Sequence, residues 1–258
     1  MASKRIDEKA LEVLRQCSVD GDKVFIPQAL DRYTYDQVNK VLVSLGGKWN
    51  TKEKAHLFPY PIDVEYTEML GTGIMPDRNP LSFYRTPLAV VQQMIRRADL
   101  LSVNWRTLPV LEPSAGEGDI VSVLLQDGVL DNLITAIEAN GNREAKLVYD
   151  FPKVHVVHAD YMYYIPDRRF SACLMNPPFN TPTIKNAWVD HVMKAMDESD
   201  IVVAIVPASI EFAKLEKTQR LRERVDGLMG AIVRLDDGAF KDSGLPQLST
   251  NIIAVKTI

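Results

Sequence analysis

Cysteine is nearly absent: the 258 residues hold two, Cys17 and Cys173, alongside four histidines. Two thiols so far apart make neither a ligand-like spacing nor a disulfide framework. That excludes a zinc module and a stapled secreted scaffold, leaves no metal site to expect, and implies a reducing, cytoplasmic setting. Cys173 stands in an apolar run and reads as a small core residue. No apolar run is long enough to span a bilayer, and no charged segment followed by an apolar one opens the chain. Internal repeats and low-complexity tracts are missing too. So is an excess of positive charge, the formal net charge being −4. A nucleic-acid partner would have to be met by a local basic face. What is present is an ordinary globular composition, 46% hydrophobic and 25% charged, long enough for one large or two small domains.

Residues 1–70 read as a small α+β accessory unit for nucleic-acid or partner contact. Residues 2–20 predict a helix and 23–26 a short strand. Thr34, with Gln37 three residues on, reads as a capping box. Val38, Val41, Leu42 and Leu45 then form one apolar face, ended by Gly46-Gly47. Residues 48–50 and 55–58 suggest a hairpin. There Lys48, Lys52, Lys54 and His56, with Lys40 from the helix, surround Trp49. Basic residues around an aromatic suit phosphate contact, although Trp49 by itself reads as core. Residues 71–80, rich in Gly and Pro, predict a linker.

Residues 81–258 alternate helix and strand. Thr86-Pro87 reads as an N-cap with Pro at N1. Strands are expected at 108–111, 133–137, 154–157, 170–175, 201–206, 230–235 and 252–255. Helices are expected at 119–125, 142–148, 185–196 and 212–224. The pattern predicts an α/β fold, a mostly parallel seven-stranded sheet covered on both faces.

Leu174-Met175-Asn176-Pro177-Pro178-Phe179-Asn180 reads as a buried strand breaking into a rigid turn. The prolines fix φ and remove donors. An amide, an undonated carbonyl and a ring at the carboxyl end of a strand suit a planar group bearing an NH2. A proline-stiffened loop with a core Phe is the alternative. Glu112-Pro113-Ser114-Ala115-Gly116-Glu117-Gly118 lies between a strand and a helix. Gly116 and Gly118 allow a tight turn and close approach to a ligand. The loop's two carboxylates would repel a pyrophosphate but suit an ammonium or a sulfonium. Glu138, ending the next strand, stands where a carboxylate holds a ribose diol in doubly wound folds. Asp160 ends the third strand, where it could accept from an adenine amino group. Each acid alone would be a solvated loop residue; in register they are not easily coincidental.

Taken in order, these residues resemble the S-adenosylmethionine-dependent amino-methyltransferases, above all the DNA adenine-N6 enzymes. Phe83-Tyr84-Arg85-Thr86-Pro87 is similar to the family's element that precedes the Gly-rich loop, giving the γ order of motifs. The resemblance covers about residues 81–258. It implies a Rossmann-like class I methyltransferase fold and S-adenosylmethionine as cofactor. It assigns Tyr84, Thr86, Pro87, the loop residues Glu112, Pro113, Ser114, Ala115, Gly116 and Gly118, then Glu138, Ala139, Asp160, Tyr161 and Asn176 to the cofactor. Catalysis falls to Asn176, Pro177, Pro178 and Phe179. Phe179, Phe240 and Lys185 would meet the substrate, with a core role for Phe240 the alternative. Lys214, Lys217, Arg220, Arg222 and Arg224 could face phosphates or form a solvated helix face. The implied substrate is DNA, at adenine N6. RNA (guanine-N2 or adenine-N6) or a protein glutamine is the alternative, because guanine-N2 methyltransferases of ribosomal RNA share the Asn-Pro-Pro-Phe loop. A non-catalytic nucleic-acid binder is a third reading. Two departures stand out: the amino-terminal unit, and the missing target-recognition region, which predicts low or short sequence specificity.

Overall fold

A computed structural model describes residues 5–27, 30–58, 62–75, 85–181, 184–243 and 247–258. The chain divides into two units, Met1–Leu81 and Ser82–Ile258.

The first unit contains α1 (Glu8–Gln16), β1 (Ser18–Asp20), β2 (Lys23–Phe25), α2 (Arg32–Ser44), β3 (Lys48–Asn50), β4 (Ala55–Leu57) and α3 (Asp63–Thr72). Its strands form an antiparallel sheet in the order β1-β2-β4-β3. Asp7 caps α1 through the N–H groups of Lys9 and Ala10, so the expected helix begins later, and it gives way to β1 at Ser18. Asp31, not Thr34, caps α2: its carboxylate takes both the Thr34 N–H and the Thr34 hydroxyl. The core gathers Ala10 and Leu14, Val24, Val38, Val41 and Leu42, Phe58, and Ile62, Tyr66 and Met69. Gly71 and Thr72 end α3, and Ile74 pairs with Arg5, so the expected linker does not begin before Gly73; its residues 76–80 lie outside the described residues. Trp49 is not core. It stands 42% exposed on the edge strand, edge-on to Tyr35 and to His56, its cross-strand partner. Lys40, Lys48, Lys52 and Lys54 are exposed, whereas His56 is buried against Asn39 and cannot belong to a basic surface.

The second unit runs α4 (Leu88–Leu101), β5 (Val110–Glu112), α5 (Asp119–Gln126), β6 (Ile134–Glu138), α6 (Gly141–Asp150), β7 (His155–His158), β8 (Ala172–Met175), α7 (Ala187–Glu198), β9 (Ile201–Pro207), α8 (Glu216–Gly227), β10 (Ala231–Arg234) and β11 (Thr250–Lys256). The seven-stranded sheet has the order β10-β11-β9-β8-β5-β6-β7. The strands from β9 to β7 are parallel, while β11 is antiparallel to both β9 and β10.

Alternation along each strand feeds two cores. Val110, Ala172, Leu174, Val203 and Ile252 pack with α4 and α5 on one face. Leu111, Cys173, Met175, Val202 and Ile253 pack with α7 and α8 on the other. At the amino edge of the sheet Arg169 is a staple. Its guanidinium ion-pairs with Asp200 at 2.6 Å, reaches the carbonyls of Asp197 and Ser199, and donates to the Thr257 hydroxyl at 2.8 Å. No described helix is long and apolar enough to cross a membrane.

Candidate active site

At the carboxyl edge of this sheet the loop after β5 is held by backbone hydrogen bonds to β6 and within itself. Ala115 N–H donates to Ile137 O at 2.9 Å and Gly118 N–H to Ala115 O at 2.8 Å. Both Gly116 and Gly118 take positive φ, +57° and +88°. Gly116 matches the expected turn. Gly118 has a different reason to be glycine: a Cβ there would lie 2.4 Å from Phe151 Cε2 and 2.9 Å from Leu147 Cδ2. The conflict is with the packing of α6, not with a ligand.

Glu138 ends β6 with 6% exposure. Its Oε2 accepts the Gly116 N–H at 2.7 Å, its Oε1 accepts the Asn140 N–H at 2.8 Å, and Arg143 stands 3.8 Å away. A carboxylate offers about four lone-pair positions, so each oxygen retains capacity for a diol. Glu138 therefore shapes the glycine loop besides facing its mouth. Ala139 is exposed beside it, Pro113 and Ala115 are buried, and Ser114 is half-buried.

Glu112 is wholly buried at the end of β5. Its Oε1 accepts the Ser114 N–H at 3.0 Å, and Oε2 has no hydrogen-bond partner. Burial pushes its pKa well above the ordinary carboxylate range; the Ser114 N–H opposes this, and nearby Glu138 and Asp119 add to it. A buried carboxyl oxygen without a partner, beside two more carboxylates, fits a cationic ligand group, whose charge would favour release of the Glu112 proton. It also carries a prediction. The folded chain keeps this proton where the unfolded chain has lost it, so stability falls as pH rises from the ordinary carboxylate range toward the raised folded pKa. Glu112→Gln, which cannot ionise, should therefore unfold at a higher temperature than wild type. The gap should widen with pH to several degrees, on the order expected for about 1–3 kcal/mol. Thermal scans of both proteins at several pH values test this, and parallel profiles would rule it out.

The residues before α4 join the two loops. Pro87 itself is the N-cap, so Thr86 does not cap the helix. Instead the Thr86 N–H donates to Asp119 Oδ2 at 2.9 Å, and its hydroxyl accepts from Asn176 Nδ2 at 3.1 Å. Arg85 ion-pairs with Asp119 as well. Asp119, first residue of α5, is the anchor that sequence reading missed; an acid in a helix's first turn was its only signal. Tyr84 and Phe83 lie outside the described residues. Asn176 follows β8, half-buried, with Pro177 buried and Phe179 partly buried against both cores.

Two expected site residues, Tyr161 and Phe240, face elsewhere, and the four cations of α8 are paired. Tyr161 is 2% exposed, its hydroxyl on Glu198 at 2.8 Å and its ring beside His191 and Lys194, so its side chain serves α7 and not a cofactor. Phe240 is wholly buried in the core under α4 and α5, which leaves no face for a substrate. The α8 cations are engaged: Lys217 with Asp190, Arg220 with Glu216, Arg224 with Asp197, and Arg222 with backbone carbonyls. Lys185 and Lys214 stay exposed. Asp160 is exposed and accepts the Met162 N–H at 2.9 Å. Trp188 and His191 are buried, and the His191 ring contacts the Ala187 carbonyl.

No protein-family model matches the sequence, and no curated protein does. Solved structures do match. A proposed RNA methyltransferase from Pyrococcus horikoshii is 21% identical, with 69% of this chain and 88% of that chain covered and a TM-score of 0.53. A proposed class I S-adenosylmethionine-dependent methyltransferase from Listeria monocytogenes is 11% identical, with 86% and 80% covered and a TM-score of 0.54. The methyltransferase subunit of a type I restriction-modification system from Streptococcus thermophilus is 14% identical, with a TM-score of 0.54. That match covers 74% of this chain and 48% of that subunit, about half its length. Together with the strand order, these likenesses establish that the second unit has the class I S-adenosylmethionine-dependent methyltransferase fold.

Proposed function

We propose that the chain transfers a methyl group from S-adenosylmethionine to the N6 amino group of adenine in DNA. The observation that carries this reading is the placement of Asn176. Its amide sits at the carboxyl end of β8, with its NH2 turned to Thr86, and β8 is the sheet neighbour of β5, which ends in Glu112. When bound, the cofactor supplies an electrophilic methyl. Gly116, Glu112 and Glu138 would hold its methionine and ribose ends, with Asp160 at the adenine. The exocyclic nitrogen of adenine is a weak nucleophile because its lone pair is delocalised into the ring. Asn176 Oδ1 and the Pro177 carbonyl accept from its two hydrogens and stabilise positive charge developing there. Phe179 stacks on the base, which must leave the duplex to reach the loop. The amino group sheds one proton to water after transfer. In the same reading Lys48, Lys52 and Lys54 of the first unit contact phosphates.

The test is incubation with labelled S-adenosylmethionine and DNA, RNA or protein in parallel, followed by nucleoside and amino-acid analysis. Label in N6-methyladenine of DNA is the expected result. Label in RNA or in glutamine moves the assignment to that substrate. Cofactor binding without label in any of them would leave a non-catalytic binder. Neutralising the three lysines together should flatten the salt dependence of DNA binding by about 2–3 units of slope; an unaltered slope removes them from the contact.

A further inference from the structure

The loop after β9 presents a phenyl ring to solvent and fixes the backbone that carries it. Phe212 is 72% exposed. Arg222 Nη1, from α8, donates to the carbonyls of Ile210 at 2.5 Å and Ala213 at 3.0 Å, on either side of Phe212. Asn251 Nδ2, from β11, donates to Glu211 Oε1 at 2.6 Å. The N–H groups of Phe212 and Ala213 both turn back to Ser209 O. A lone exposed apolar residue is commonplace. A ring left to water on a loop clamped from two elements calls for a reason.

Position supplies one. Met175, the last residue of β8, pairs with Ala204, and β9 continues three residues further to Pro207. The Phe212 loop therefore leaves the sheet beside the Asn176 turn. The glycine loop and Glu138 belong to β5 and β6, on one side of β8; β9 and β11 lie on the other. With the cofactor over the first pair, the substrate's side is the one on which the loop of the exposed Phe212 lies. Lys214, two residues on, and Lys185, after the Asn176 turn, are exposed cations suited to a polyanion.

Resting on the function proposed above, we infer that Phe212 is a substrate-contacting residue. It stacks on a nucleobase next to the extruded adenine, while Lys214 meets the adjoining phosphate. Extruding one base bares a face of its neighbour, and a rigidly mounted aromatic ring can cover that face.

The experiment compares wild type, Phe212→Ala and Phe212→Trp on a DNA duplex that wild type methylates. Because the ring is exposed, neither substitution threatens the fold. Phe212→Ala should weaken duplex binding and raise the KM for DNA roughly tenfold to a hundredfold, the usual weight of one stacked base. Phe212→Trp should restore both, and calorimetric affinity for S-adenosylmethionine should be the same in all three. Equal DNA affinity and KM in wild type and Phe212→Ala overturn the inference alone, as does an equal defect in Phe212→Trp. A wild-type chain that neither binds nor methylates nucleic acid overturns the proposed function, and this inference with it.

Discussion

Asn176→Ala is expected to lower the methylation rate by about two orders of magnitude or more, with cofactor affinity nearly unchanged. The size follows from losing one preorganised polar group aimed at developing charge, worth roughly 3–4 kcal/mol in comparable sites. The separation of effects follows from the structure. The carboxylates assigned to the cofactor keep their own partners: Glu138 holds Gly116 and Asn140, and Glu112 holds Ser114. None depends on the Asn176 amide. Thr86 gives an internal control, because its hydroxyl accepts from Asn176 Nδ2. Thr86→Val should slow methyl transfer by a smaller factor, since it unties the amide without removing it. Single-turnover rates beside calorimetry read both quantities. A normal rate in Asn176→Ala would remove this residue from the chemistry, and a collapse of cofactor affinity would assign it to binding instead.

Gly118→Val should destabilise the second unit by about 2–4 kcal/mol and lower its unfolding temperature by roughly 5–10 °C. At φ +88° a β-branched residue is strained, by about 1–3 kcal/mol. The new Cβ would also lie inside contact distance of Phe151 and Leu147, and overpacking costs a similar amount. Leu147 is wholly buried, so the accommodation falls on α6. Loss of cofactor affinity would follow from the displaced loop. Thermal unfolding without added ligand isolates the packing effect: an unchanged transition would mean that the glycine is needed only for ligand approach.

Most of the second unit was legible because its central strands are apolar on both faces and its helices punctuate them. The runs around Leu111, Ile137 and Cys173 became β5, β6 and β8 within a residue or two. Helix α8 starts later than expected, at Glu216. The apolar and basic residues from Phe212 onward mimic an amphipathic helix, but Arg222 ties up the carbonyls of Ile210 and Ala213. Pattern also misjudged the aromatics. Phe240 and Tyr161 lie in the core and Trp49 stands on an edge, because burial is decided by which long-range partner covers a ring. Thr86 looked like a cap because Thr-Pro so often is one. Its bonds to Asp119 and Asn176 span 33 and 90 residues, and no local reading reaches that far.

The Arg169 staple has a consequence for how such a chain can change. It gathers the start of β8, the turn before β9 and the end of β11 at one margin of the sheet, where every partner is a backbone carbonyl or a short polar side chain. At the opposite margin Glu112 Oε2 and Asn251 Oδ1 are buried without partners. Substitutions near Arg169 are screened by folding, as are those at Gly118 in the opposite loops, whereas substitutions of the exposed residues of those loops are screened by whatever the loops grip. Exchange of the segment after β9 for another of equal length, with the Asn176 turn kept, is thus the route by which this scaffold could be retargeted, in a laboratory or in a lineage, with its foundation left untouched.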